Sequence, residues 1–478
     1  MNDDSSKMDT VAEEYLYGRI NYERRSDDPA ATWDFKLETV LQLLNRRGNP
    51  HWQYPIIHVA GTKGKGSVVS MIAGILAASG YRLGVYYSPH LEIVRERIVV
   101  DGEMIGANDF CELVGSFRCD VAEIDRQARE RNELHPPTFF EIMTAAAFDY
   151  FAQRDVDVAV VEVGMGGRLD STNVCRPVLT VITNIGIDHQ QQLGATRPLI
   201  AAEKAGIIKP GVAVICGVQG GKPAEVIADV ARRHNATVFW LGKEFNFRAA
   251  CVEPQTEEPT TFHTWGNVGK QYDLPNCVTS LLGSHQASNA AIATAAAQWL
   301  SHHRWHITDE TILSGLRNVR LLGRFQVVEG TPPVVLDIAH NEISVRAFVR
   351  TLLERFGPKR DGRTLIFSAS SDKKILRMLK LLLPHFDRVI LTKIVSNPRG
   401  CELLALHRLC DEILSQWTSA DGPLPAIEDA SDSKQAWEIA HQSSRPSTCI
   451  AVTGSAFLIG EMLPVARDWA TRQRPFVE

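Results

Sequence analysis

Apolar runs bounded by turn residues recur along this chain, and most are followed by a stretch whose apolar positions repeat at helical spacing. The runs at 55–60, 82–87, 157–163, 178–184 and 212–216 read as strands covered on both faces, because they lack the polar alternation of a half-solvated strand. The stretches at 35–44, 67–79, 109–131, 138–153 and 222–234 read as helices. Gly48-Asn49-Pro50 stops the first, and Thr138 is placed to cap the fourth. The segment 203–208 continues the alternation, and 96–100 with Asp101-Gly102 suggests a short strand and turn. Strands alternating with helices predict an α/β fold with a parallel sheet. From 245 to 282 the pattern becomes polar and rich in Thr and Pro, which predicts antiparallel hairpins. Helices at 286–301 and 308–319 then lead to a hinge at 320–323. Beyond it, strands at 334–338, 364–368, 388–392 and 449–453 alternate with helices as a second, smaller, doubly wound unit.

Composition adds exclusions more than identity. The chain has 478 residues, which favours two domains over one. A net charge of −5 gives no bulk attraction to nucleic acid, and no apolar run approaches a membrane span. The acidic, polar residues 1–10 do not form a signal peptide and read as a frayed tail. The 9 cysteines lack C-x-x-C pairs, so reduced thiols and a cytoplasmic location are expected.

The chemistry is organised around His58-Val59-Ala60-Gly61-Thr62-Lys63-Gly64-Lys65-Gly66-Ser67. Strand, glycine loop with lysine, then helix is the layout of a phosphate cradle: glycines let backbone N–H groups converge on phosphate, and Lys65 adds a full charge. The spacing from Gly61 to Gly64 is shorter than in the usual Walker A loop, and a purely structural turn is the competing reading. Glu141 stands on a largely apolar helix, where a carboxylate needs a partner or a metal unless it is solvated. Asp188-His189 follows a strand end, where ligands of open α/β sheets gather, although a loop histidine is more often without such a role. Lys204 precedes the apolar Ala205-Gly206-Ile207-Ile208, which invites a depressed pKa; a surface ion-pairing lysine is the alternative. Arg324 at the hinge, with Asp337 and His340-Asn341 at a strand end beyond it, suggests a cleft that closes on substrates.

Taken together these motifs resemble the folylpolyglutamate synthase family, including its bifunctional dihydrofolate synthase members, within the Mur ligases. The likeness rests on the loop above, Ser88-Pro89-His90-Leu91, Glu96-Arg97-Ile98, Thr138-x-Phe140-Glu141 and Glu162-Val163-Gly164-Met165-Gly166-Gly167-Arg168-Leu169-Asp170-Ser171-Thr172-Asn173. It continues through Asp188-His189 with Leu193-Gly194, Glu203-Lys204-Ala205-Gly206-Ile207, His285-Gln286 with Asn289-Ala290, Gly323-Arg324, Asp337-x-Ala339-His340-Asn341 and Thr453-Gly454-Ser455. The family often has Pro after the His-Asn pair, where this chain has Glu342, and 109–135 and 245–282 match nothing firmly.

The resemblance implies a Mur-ligase-like fold. Residues 1–320 would form a P-loop ATPase domain with an N-terminal helical segment, and 321–478 a Rossmann-like glutamate ligase domain. Thr62, Lys63, Gly64, Lys65, Gly66 and Ser67 would hold ATP phosphates, while Asn289, Arg324 and Asp337 would contact the nucleotide. Ser88, Glu141 and His189 would bind Mg2+, Lys204 would be carbamylated, and Lys65, Lys204 and His340 would serve the reaction. Phe148, two turns beyond Glu141, would touch the pterin. The substrates implied are folate or dihydropteroate and L-glutamate, joined through an acyl phosphate by a cytoplasmic monomer that needs neither nucleic acid nor membrane. Two rivals remain at this stage. A cell-wall Mur ligase would usually carry Gly-Lys-Thr at the loop, and a non-catalytic nucleotide-binding protein would have no need of Glu141, His189 and Lys204 in one chain.

Overall fold

Continuous apolar strands must be covered on both faces, and the chain meets this with helices on either side of an eight-stranded sheet. The structure, a computed structural model, describes residues 2–24, 36–130, 135–250, 258–358, 362–418, 422–442 and 449–473. The sheet comprises β1 (Ile56–Ala60), β2 (Leu83–Tyr86), β3 (Ile98–Val100), β4 (Glu103–Met104), β5 (Val158–Glu162), β6 (Pro177–Ile182), β7 (Val214–Cys216) and β8 (Val238–Trp240). Their order is β4-β3-β2-β5-β1-β6-β7-β8. The pairs from β2 to β8 are parallel, and only β3 and β4 run antiparallel at one edge. β1 is flanked by β5 and β6; its own connection leads to β2 on one side while that of β6 leads to β7 on the other, so the loop leaving β1 emerges where the strand order reverses. That is where an open α/β sheet forms its ligand crevice.

On one face the glycine-loop helix, Lys65–Ala78, packs against Ser284–His302 and Asp309–Arg317. Gly74 and Gly315 permit that approach: a Cβ on Gly315 would lie 2.4 Å from Ile75 Cα, inside any possible contact. The opposite face is filled by Ala107–Glu130 and Phe139–Gln153. As the hairpin pattern predicted, β9 (Phe245–Ala249), β10 (Thr260–Asn267) and β11 (Gln271–Thr279) form a separate antiparallel sheet against the first unit.

The second sheet comprises β12 (Gln326–Val328), β13 (Val334–Asp337), β14 (Arg363–Phe367), β15 (Arg388–Thr392), β16 (Ala426–Ala430) and β17 (Cys449–Thr453), ordered β12-β13-β17-β14-β15-β16. All its pairs are parallel except β12 with β13. The short strands β8, β12 and β16 were not anticipated; β8 is apolar but only 3 residues long, and β16 is a partly exposed edge strand interrupted by Glu428 and Asp429.

One expectation is corrected at the N-terminus. Residues Asn2–Tyr17 form a helix, not a frayed tail, and Ala12 and Leu16 are buried where it lies along Ala107–Glu130. Two expected helix ends, Phe35 and Arg131, fall outside the described residues.

Candidate functional site

The loop after β1 is shaped by close approaches that exclude side chains. A Cβ on Gly61 would sit 1.8 Å from Thr183 Oγ1, and one on Gly64, at φ 80°, 2.5 Å from Asn289 Oδ1. The loop backbone is tied to the end of β6: Thr62 N donates to Asn184 O at 2.9 Å and Lys63 N to Asn184 Oδ1 at 3.0 Å. The helix begins at Lys65, and Val68 N, on Gly64 O at 2.9 Å, takes up the helical pattern. The amides of Lys65, Gly66 and Ser67 therefore have no acceptor within the helix, the arrangement that binds anions at helix N-termini. Asn289 orients its amide by donating to Gln286 Oε1 at 2.9 Å, beside Gly64.

Facing the loop is a carboxylate that was quoted in a motif but assigned no role. Glu162 ends β5, is buried, and has Oε1 3.8 Å from Lys65 Nζ while Oε2 accepts from Ser88 N at 3.3 Å. Burial raises its pKa, opposed by Lys65 and Arg324. Ser88 Oγ beside it is buried with no hydrogen-bond partner. The signal available in the sequence was a single carboxylate ending an otherwise apolar strand next to the loop.

Glu141 is a correction. Its Oε2 accepts from Thr138 N at 2.9 Å and Thr138 Oγ1 at 2.7 Å, closing a capping box, and Oε1 lies 3.6 Å from His135 Nε2. Burial raises its pKa, and the charges that lower it are His135 and Arg19, not those of the loop. The carboxylate is satisfied by its own helix start, and the structure does not bring it to His189. Phe148 is likewise a core residue, buried and packed on the His51 ring at 5.8 Å.

His189 sits in left-handed backbone at φ 49° and lines one small cleft with Gly61, Thr62, Lys65, Gly164, Gly166, Asp188 and Lys204. Lys204, near the end of the helix Arg197–Ala205, is buried, and its Nζ donates to Gly166 O at 3.4 Å. Burial, reinforced by Lys65, lowers its pKa from 10.5 to about 7.

The second sheet supplies the other wall. Arg324 reaches toward the loop, its NH2 3.5 Å from where a Cβ on Gly66 would stand. Asp337 ends β13, and its two oxygens accept from Phe325 N at 2.7 Å and Ala339 N at 2.8 Å. Burial raises its pKa to about 6 against the opposing pull of Arg324. His340 Nδ1 faces Ile338 O at 2.8 Å, so that nitrogen carries the proton and Nε2 accepts from Lys63 Nζ at 2.7 Å. Burial, then Lys63, lowers the His340 pKa to about 4, keeping it neutral.

Among the described residues no three His, Cys, Asp or Glu side chains converge as a metal cluster. The hard-oxygen donors at the loop are the unpartnered Ser88 hydroxyl and the Glu162 carboxylate. That pair, with His189 across the cleft, fits a cation such as Mg2+, which takes most of its ligands from phosphate and water.

A phosphate-cradling loop facing a second α/β unit defines a Mur-type ligase. Residues 59–297 match the Mur ligase middle domain, and 323–456 match the Mur ligase glutamate ligase domain. The dihydrofolate synthase/folylpolyglutamate synthase of Bacillus subtilis is 40% identical over 348 residues, covering 72% of this chain and 78% of that protein. The enzyme of the same name from Mycobacterium tuberculosis is 36% identical, covering 79% and 78%. The chain belongs to the folylpolyglutamate synthase/dihydrofolate synthase family of Mur ligases, which join glutamate to folate at the expense of ATP. The M. tuberculosis folylpolyglutamate synthase crystallised with ADP and AMPPCP superposes with a TM-score of 0.84 at 30% identity, covering 97% of this chain and 99% of that one. Escherichia coli FolC in complex with DHPP and ADP superposes at 0.76 with 28% identity, covering 92% and 95%.

Proposed function

We propose that this chain adds L-glutamate to folate and also to dihydropteroate, using ATP, with the phosphate loop and the second sheet as the two walls of one active site. The observation that carries the reading is the convergence of Lys65, Glu162, Ser88 and Arg324 on the free amides that open the loop helix. The dihydropteroate activity is supported by relatives whose names carry both activities.

A carboxylate is a poor electrophile toward an amine. The γ-phosphoryl group of ATP therefore passes to the folate carboxylate, and the glutamate amine then displaces phosphate from the acyl phosphate. The loop amides and Lys65 hold the phosphates and offset the charge that spreads over the transferring group. Arg324 approaches the same group from the second unit. Ser88, Glu162 and His189 would hold Mg2+, which when bound offsets phosphate charge. Lys204, about half neutral near pH 7, has the amine form that takes up CO2 available; as a carbamate it would place an anion beside Lys65. Asn289 and Asp337 contribute to the nucleotide site, Asn289 directly at Gly64 and Asp337 by positioning Arg324. Neutral His340 is held at the loop from the second unit, and closure keeps water from the acyl phosphate.

We set the division between the units at 320/321, and we place the protein in the cytoplasm as a monomer. No helix among the described residues is long and apolar enough to cross a membrane. The test is purified protein with ATP, L-glutamate and either dihydropteroate or tetrahydrofolate, read by mass. The expected result is addition of one or more glutamyl residues to each acceptor, dependent on ATP. No mass gain with either acceptor would overturn the reading.

A further inference from the structure

The residue that joins the two units most directly has no role in the reaction as derived above. Asp188, nearly buried, lies in the loop after β6. Its Oδ2 accepts from Lys63 Nζ at 2.9 Å and from Asn341 Nδ2 at 2.8 Å, with His340 Nε2 at 3.7 Å. Its Oδ1 accepts from His189 N at 3.0 Å and lies 3.5 Å from Lys373 Nζ. Lys63 belongs to the phosphate loop; Asn341, His340 and Lys373 belong to the second unit.

The partners are held in the orientations this requires. Asn341 caps the helix Glu342–Phe356, and its Oδ1 accepts from Ser344 N at 3.0 Å, which leaves Nδ2 to face Asp188. His340 spends its Nδ1 proton on Ile338 O, so Nε2 is an acceptor for Lys63. The Lys63 backbone is fixed by Asn184 and by Thr183 Oγ1 on Lys63 O at 2.6 Å. Its ammonium is thus directed across the cleft to the second unit, rather than along the amides that open the loop helix.

We propose that Asp188 is a positioning residue: with Lys63 and Asn341 it forms a latch that holds the phosphate loop and the second sheet in the closed arrangement. The latch forms a bridge of charged-group hydrogen bonds in a site with little solvent, where such bonds are stronger than neutral ones. Its consequence for turnover rests on the acyl-phosphate reading. An opened cleft admits water, which attacks the acyl phosphate, returns the free carboxylate and releases phosphate with no amide formed.

Two substitutions at Asn341 test the latch without removing the helix cap, because Ser and Asp both cap well. Asn341→Ser removes the donor to Asp188, and Asn341→Asp sets a second carboxylate against it. Asp188→Asn combined with Asn341→Asp exchanges amide and carboxylate and restores a donor–acceptor pair. Small-angle scattering without substrates should show the open fraction rising about tenfold or more in Asn341→Asp, less in Asn341→Ser, and falling back in the double variant. Circular dichroism and melting identify any variant that is misfolded. Scattering curves of Asn341→Asp that superpose on wild type, or a folded double variant no less open than Asn341→Asp, would overturn the latch. In the folded Asn341→Asp variant, phosphate released per glutamate ligated should rise severalfold. Opened scattering with unchanged stoichiometry would support the latch and instead remove the water-exclusion step of the mechanism.

Discussion

Lys204 offers the sharpest test of the chemistry, because its environment changes the availability of its amine by a calculable factor. An ordinary lysine at pH 7 is about 0.03% neutral, whereas a lysine with pKa about 7 is roughly half neutral, a gain on the order of a thousandfold. Only the neutral amine adds CO2. Since the folded pKa is depressed, the proton is lost as pH rises through about 7, and below that the reactive fraction falls about tenfold per pH unit. The same shift makes unmodified folded protein gain stability with rising pH between about 7 and 10.5, where only the unfolded chain keeps the proton. The perturbation is removal of dissolved CO2 under argon at pH 6, followed by return to pH 7.5 with or without bicarbonate. Most ligase activity should be lost on stripping and return only with bicarbonate. Lys204→Ala should be inactive in both, with partial recovery in formate or acetate. Carbon NMR with labelled bicarbonate should show a carbamate resonance in the wild type that is absent from Lys204→Ala. Full activity after stripping, together with identical spectra, would refute the reasoning.

Three further outcomes follow from the site. Glu162→Gln should lower turnover more than about a hundredfold and raise the Mg2+ needed, whereas Glu141→Ala, which leaves Thr138 N without its acceptor, should cost about 1 kcal/mol of stability or more and leave the Mg2+ requirement unchanged; paired Mg2+ titrations and melts decide this. Lys65→Ala should fold normally by circular dichroism yet lose turnover by two to three decades or about that, checked by phosphate release. Asp337→Ala removes the acceptor for Phe325 N and Ala339 N and the carboxylate facing Arg324, so ADP affinity by calorimetry should fall about tenfold or more, and the melting temperature should drop.

Much of this was legible before any coordinates because the relevant signals are local. Short β-branched apolar runs such as 158–161 and 334–336, bounded by turn residues, read as covered strands, and the glycine loop announces itself by its position between strand and helix. His189 and Lys204 were found by asking which polar residues sit at strand ends or enter apolar surroundings. The same rule applied to Glu162 would have found it. Glu141 attracted the assignment because a carboxylate on an apolar helix looked unsatisfied. Yet Thr138-x-x-Glu141 is itself the signature of a capping box, which satisfies that carboxylate within one turn. The Asp188 network was illegible for a different reason. Its partners, Lys63 and Asn341, lie 125 and 153 residues away, and no local pattern encodes so distant a pairing. The N-terminal helix escaped because its acidic, polar start gave no periodic apolar face, and Ala12 and Leu16, buried among the side chains described there, lie beyond that start.

The three lysines of the cleft share one neighbourhood but differ in what each ammonium meets, and that difference assigns their work. Lys65 faces the Glu162 carboxylate at 3.8 Å and stays close to the loop amides, so its charge is available to phosphate. Lys63 meets Asp188 at 2.9 Å and reaches His340 of the second unit at 2.7 Å. Lys204 is buried as deeply as the core, and among the described residues it has no carboxylate within ion-pair distance, only the Gly166 carbonyl. Burial, then the repulsion of Lys65, lowers the Lys204 pKa to about 7 against the weaker pull of Asp188 and Asp170, whereas the direct bond to Asp188 limits the fall at Lys63 to about 8. Converting that amine to a carbamate anion would turn the repulsion of Lys65 into attraction, which offsets the cost of burying the new charge. The proposed carbamate therefore rests on the placement of the other two lysines as much as on Lys204 itself, and removing the Lys65 charge should weaken CO2 uptake at Lys204 as well as phosphoryl transfer.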